Sequence, residues 1–91
     1  MDDRTEIIQR IADTVYSAIQ TQGGITGSGE AIRLFSIPAT KDDLYYAASY
    51  CRKMAKGLPR EKLSEIKTWS NAAIAIDQEM TYHGHQYPDS L

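Results

Sequence analysis

Thr40-Lys41-Asp42-Asp43-Leu44-Tyr45-Tyr46-Ala47-Ala48-Ser49-Tyr50-Cys51-Arg52-Lys53-Met54-Ala55-Lys56-Gly57-Leu58-Pro59 is the stretch that sets the fold. It opens on a helix start. Thr40 offers a side-chain oxygen to the orphan amides, and Asp43 follows three residues later, the spacing of a reciprocal cap. Leu44, Ala47, Ala48, Cys51, Met54 and Ala55 then recur at helical spacing and make one apolar stripe. Gly57 fits the left-handed position that ends a helix, and Pro59 fits the first turn of the next. The stretch therefore predicts a helix over 40–56 and a tight hinge into a helix over 59–82, paired as an αα-hairpin.

Working outward, Ile66, Trp69, Ala73, Ile76 and Met80 step by three and four along 59–82 and form a packing seam. Leu63 and Ile74 fall on a second apolar patch, rotated roughly 100° from the first, with Ser70 and Asp77 between them. Upstream, Ile7, Ile8, Ile11, Val15, Ala18 and Ile19 fill one side of a helix over 5–21. Glu6, Gln9, Arg10, Asp13, Ser17 and Gln20 fill the other side. Asp3 and Glu6 have capping spacing at its start. Residues 22–29 hold four of the six glycines and read as a loop. Residues 30–37 read as a short helix capped by Ser28 and stopped before Pro38, or as an edge strand. No other run alternates with period two to pair with such a strand. Gly84 and Pro88 break regularity, so 83–91 reads as an irregular tail. The expected fold is one all-α domain over 1–91: a small bundle of three to four helices with a glycine-rich loop and an irregular C-terminal tail.

Composition limits the class. Ninety-one residues, 42 % of them apolar and 24 % charged, make one globular domain. A chain this short leaves a large share of its surface in water, so a partner would stabilise it. The single cysteine, Cys51, excludes an internal disulfide and a zinc site built on several thiolates. The acidic N-terminus lacks the pattern of a secretory signal, and no run is long and apolar enough to span a bilayer. A cytoplasmic protein without a membrane role is expected.

Each candidate for chemistry fails on spacing or surroundings. Gly24 and Gly29 have phosphate-loop spacing, but Glu30 and Ala31 stand where Lys and Ser/Thr are needed. Gly27-Ser28-Gly29 meets Ile32 where a dinucleotide loop needs glycine. Cys51 lies in an apolar stripe with no base beside it and reads as a small buried hydrophobe. His83 and His85, one turn beyond Glu79, supply at most a partial ligand set, so no metal site is expected. Asp77 reads as a patch-edge residue reaching solvent. No catalytic residues, no cofactor and no small-molecule substrate are indicated, and a non-enzyme is expected.

The strongest charge feature is 52–67, which holds six of the ten basic residues and only two acids. Arg52, Lys53, Lys56, Arg60 and Lys62 are the candidates for holding phosphates, so a nucleic-acid-binding regulator is the alternative function. As a helix-turn-helix motif the match is poor, because Arg52 and Lys53 would fall on inward positions. The leading expectation is a regulator, inhibitor or adaptor that occupies a partner's surface and forms a homodimer. Its contact residues are Tyr46, Tyr50, Leu63 and Ile74: two amphipathic aromatics at the edge of one stripe, and the second patch of the last helix.

Overall fold

The computed structural model describes residues 3–22 and 36–89, which form three α-helices and two single 3-10 turns and contain no strand. Most of the loop expected over 22–29, with Ser28, and positions 30–35 of the following segment lie outside the described residues, as does the side chain of Asp3. Helix α1 is Asp3–Gln22, α2 is Lys41–Gly57 and α3 is Leu63–His83.

The stripes read from the sequence meet in one core. Ile11, Val15, Ala18 and Ile19 of α1 are buried with Leu44, Ala47, Ala48, Cys51 and Ala55 of α2 and Trp69, Ala73 and Ile76 of α3. Ile7, Ile8, Met54, Ile66 and Met80 pack against its edge. Many of these positions are alanine, which lets the helix axes approach closely. The Cα envelope measures 40 × 30 × 18 Å. Its thin direction has room for two layers of helix axes at the usual 8–10 Å spacing, so each helix keeps a face in water.

The start of α2 ties the chain together. Thr40 caps it: its hydroxyl accepts from the Asp43 amide at 3.3 Å, while the Thr40 amide donates to the Asp43 carboxylate at 2.9 Å. Arg4 pairs with the same carboxylate oxygen at 2.8 Å and donates to the Pro38 carbonyl at 3.4 Å. The first turns of α1 and α2 therefore lie at one end of the bundle, and the two helices run in the same direction.

Four expectations need correction. Gly57 does not supply a left-handed cap; it lies inside the last turn of α2. Leu58 ends the helix in extended backbone, φ −85° and ψ 144°. The cause is Pro59, which disfavours helical backbone in the residue before it. Nor does Pro59 open α3. It is extended, and Arg60–Lys62 form a 3-10 turn closed by the Lys62 amide on the Pro59 carbonyl at 3.0 Å. No Ser, Thr, Asp or Asn stands at 59–62 to cap a full helix, and a tightened first turn satisfies the backbone instead.

The third correction concerns the tail, which is packed rather than irregular as far as residue 89. α3 runs to His83, Gly84–Gln86 make a 3-10 turn, and the Tyr87 amide closes on the Gly84 carbonyl at 3.0 Å. Tyr87 enters the core at 5 % exposure, and its hydroxyl donates to Glu79, itself 4 % exposed, at 2.8 Å. The Pro88 carbonyl then accepts the first amide of α2, from Lys41, at 3.0 Å, and the Lys41 ammonium reaches Asp89 at 3.0 Å. The tail thus caps the helix that decided the fold. Ser36 and Ile37 form a turn and a bend rather than the end of a helix or strand, and Ile37 and Ala39 are buried.

Candidate functional site

The outer surface of α2 carries the densest set of chemically distinctive side chains. Tyr45 and Tyr46 are both exposed, Tyr46 at 55 %, with ring centroids 5.6 Å apart in an edge-on arrangement. One turn on, Tyr50 is half-buried and meets Trp69 edge-on at 6.0 Å. Trp69 in turn stacks with Tyr16 at 4.3 Å. This Tyr16–Trp69–Tyr50 series spans all three helices and holds the Tyr50 ring in place.

Between α1 and α2 lies a broad, open depression of about 520 Å³, lined by Ile8, Tyr46, Ser49, Tyr50, Arg52, Lys53 and Lys56. Ile8 and the two tyrosines supply apolar surface to it, and Arg52, Lys53 and Lys56 supply positive charge. Arg52 is engaged, because its guanidinium pairs with Asp77 of α3. Lys53 and Lys56 make no ion pair among the described residues. Open to this degree, the depression would cover only a little of a small ligand, unlike the clefts that enclose most of theirs.

Of the four residues expected to contact a partner, Tyr46 and Tyr50 meet at this depression, whereas Leu63 and Ile74 do not join it. They stand on the outer side of α3 at 57 % and 46 % exposure. They are eleven residues apart on one helix, about 16 Å along its axis, so they are separate apolar side chains and not one patch. Ile8, at the edge of the α1 stripe, was not among the expected contacts; its place in the depression depends on α1 lying beside α2.

The five basic candidates also separate. Arg60 and Lys62 sit on the 3-10 turn beyond Pro59, Lys62 lies 3.8 Å from Glu65, and Arg52 is paired with Asp77. Asp77 is half-exposed and serves as that partner.

The other candidates for chemistry have structural surroundings. Cys51 is fully buried, and its thiol is pushed up to about 12, first by burial and then by the charge of Asp13 against a smaller opposing effect of Arg52. A thiol so placed keeps its proton at neutral pH and is a poor nucleophile. Glu79 is buried and accepts the Tyr87 hydroxyl, whereas His85 is exposed. No group of three or more His, Cys, Asp or Glu is placed to hold a metal among the described residues. No described helix is long and apolar enough to cross a membrane. Comparison with protein-family models, curated proteins and solved structures gave no significant match.

Proposed function

We propose that this chain is a small, non-enzymatic interaction protein, a regulator, inhibitor or adaptor that works by laying the tyrosine-bearing face of α2 against another protein. The observation that carries this reading is the pair Tyr46 and Tyr50 beside one open depression, with Tyr50 braced by Trp69. Tyrosine suits such a role. It contributes large contact area with few rotors to immobilise, and its hydroxyl tolerates water while the face is free. A cytoplasmic location goes with the proposal, resting on the absence of any disulfide-forming cysteine pair.

The nucleic-acid reading is weaker on magnitude. Two unengaged lysines in the depression correspond to about two phosphate contacts, and each contributes roughly 0.9 to the salt slope on duplex DNA. Non-specific binders draw on several times that number.

The test is affinity capture from native extract with the full chain and with Tyr46→Ser and Ile74→Ser variants, each checked for helicity by circular dichroism. The proposal expects a partner held by the parent chain and by the Ile74 variant and lost with the Tyr46 variant. A partner lost only with Ile74→Ser, or one released by nuclease treatment, refutes it.

A further inference from the structure

Building on the proposed docking role of this face, we infer that the depression between α1 and α2 takes an acidic segment of a different protein. Carboxylates would lie on Lys53 and Lys56, and an apolar or aromatic side chain would lie against Ile8, Tyr46 and Tyr50. The argument is one of charge. Arg52 is already neutralised by Asp77, so the unbalanced charge at this site belongs to Lys53 and Lys56, one turn apart on α2 and both exposed. Beside them stand Ser49 and the tyrosine hydroxyls, which can each donate a hydrogen bond to a carboxylate. A segment with acids on one side and an apolar residue on the other satisfies both halves of the site.

The same charges argue against a second copy of this chain as occupant. A two-fold dimer brings a surface patch onto itself. Here that would bring Lys53 and Lys56 of both copies into one interface, four cations in all, with each Arg52 offset by its own Asp77. Like charges facing each other across an interface suppress that pairing. The homodimer expected from the sequence is therefore disfavoured at this face, and a partner of opposite sign is favoured.

The experiment is a selection of random short peptides by display on the full chain at low salt. Enriched peptides are then measured by fluorescence anisotropy against the parent chain, a K53E/K56E variant and a Tyr46→Ser variant. Oligouridylate serves as a competing probe, and sedimentation velocity reports self-association. Both lysines are exposed, so the charge-reversed chain should fold; circular dichroism checks that it does. The expected result is enrichment of acidic peptides carrying at least one aromatic or leucine. Their affinity should fall about tenfold or more on K53E/K56E, from two lost attractions and two new repulsions, and the difference should narrow as salt rises. Enrichment without acidic bias, or affinity unchanged by K53E/K56E, overturns the inference. If such peptides still depend on Tyr46, docking at this face survives and only its charge preference fails. If no peptide depends on Tyr46, the wider reading fails too. Oligouridylate displacing the peptides and binding more tightly than they do overturns it in favour of nucleic acid. A concentration-dependent dimer abolished by Tyr46→Ser overturns it in favour of a second copy.

Discussion

Replacing Tyr87 by phenylalanine isolates the contact that fastens the tail. The ring stays and only the hydroxyl is lost, so packing in the core is nearly conserved. What disappears is the 2.8 Å bond that Tyr87 donates to Glu79, a carboxylate with 4 % of its surface in water. A hydrogen bond to a charged group contributes about 1.5–3 kcal/mol, and an acceptor left buried without its donor costs a comparable amount. The expected loss at neutral pH is therefore about 2 kcal/mol. For a domain of this size that lowers Tm by roughly 8–16 °C. The effect should be smaller when Glu79 is already glutamine. A neutral bond is worth about 0.5–1.5 kcal/mol, so Tyr87→Phe on Glu79→Gln should cost about 1 kcal/mol. Urea unfolding of the four chains of this cycle, followed by far-ultraviolet circular dichroism, measures the coupling directly. A Tyr87→Phe chain within 0.5 kcal/mol of the parent, or no coupling between the two positions, refutes the assignment of a buried Tyr87–Glu79 bond.

Three further predictions follow from the same contacts. Thr40→Ala removes the side-chain acceptor that caps α2 and should cost about 1 kcal/mol in urea unfolding. Asp77→Ala frees Arg52, but both partners are about half-exposed, so the change in stability should stay below about 1 kcal/mol. Burial, and then the hydrogen bond and charge of Glu79, raise the Tyr87 phenol above its ordinary value of 10.0, while the Cys51 thiol rises from 9.0 to about 12. Both groups keep their protons in the folded chain at a pH where the unfolded chain has released them. The native state then binds more protons, so stability falls as pH rises, by at most about 1.4 kcal/mol per pH unit for each group. The decline should begin near the unfolded values, about pH 9 for Cys51 and pH 10 for Tyr87, and continue towards their folded values. Urea midpoints measured from neutral pH to pH 11 check this, and Tyr87→Phe should flatten the upper part of the curve.

Local signals in the sequence led to the parts of the fold they control. Thr40 and Asp43 lie three residues apart, and the apolar residues of α1 and α2 repeat within each helix, so both helices and most of the core were legible. The hinge was misread because two cues competed. Gly57 permits a left-handed cap, but the helix continues through it and ends one residue later, at Leu58, where Pro59 disfavours helical backbone. The tail was misread because its order comes from Tyr87 reaching Glu79 across a helix end, and no periodicity marks such a contact. Leu63 and Ile74 show a different limit. Around the helix axis they are about 20° apart, yet along it they are about 16 Å apart, and a helical projection discards that second coordinate. At the candidate site, the Tyr46–Tyr50 pair and the Lys53–Lys56 pair were each legible on one helix, but as two rival sites and not as the lining of one depression. Ile8 and the Arg52–Asp77 pair were not legible, since each depends on how a second helix is placed.

The central claim is that the molecule acts through the α1–α2 depression. Its most direct test is a nuclear magnetic resonance titration of the full chain, labelled on its tyrosine rings and isoleucine methyl groups, with the partner or peptide the captures deliver. The account predicts the largest shifts at Tyr46, Tyr50 and Ile8, with Tyr82 and Ile74 unmoved. Shifts concentrated at Ile74 and Tyr82, with Tyr46 and Ile8 unchanged, would contradict it.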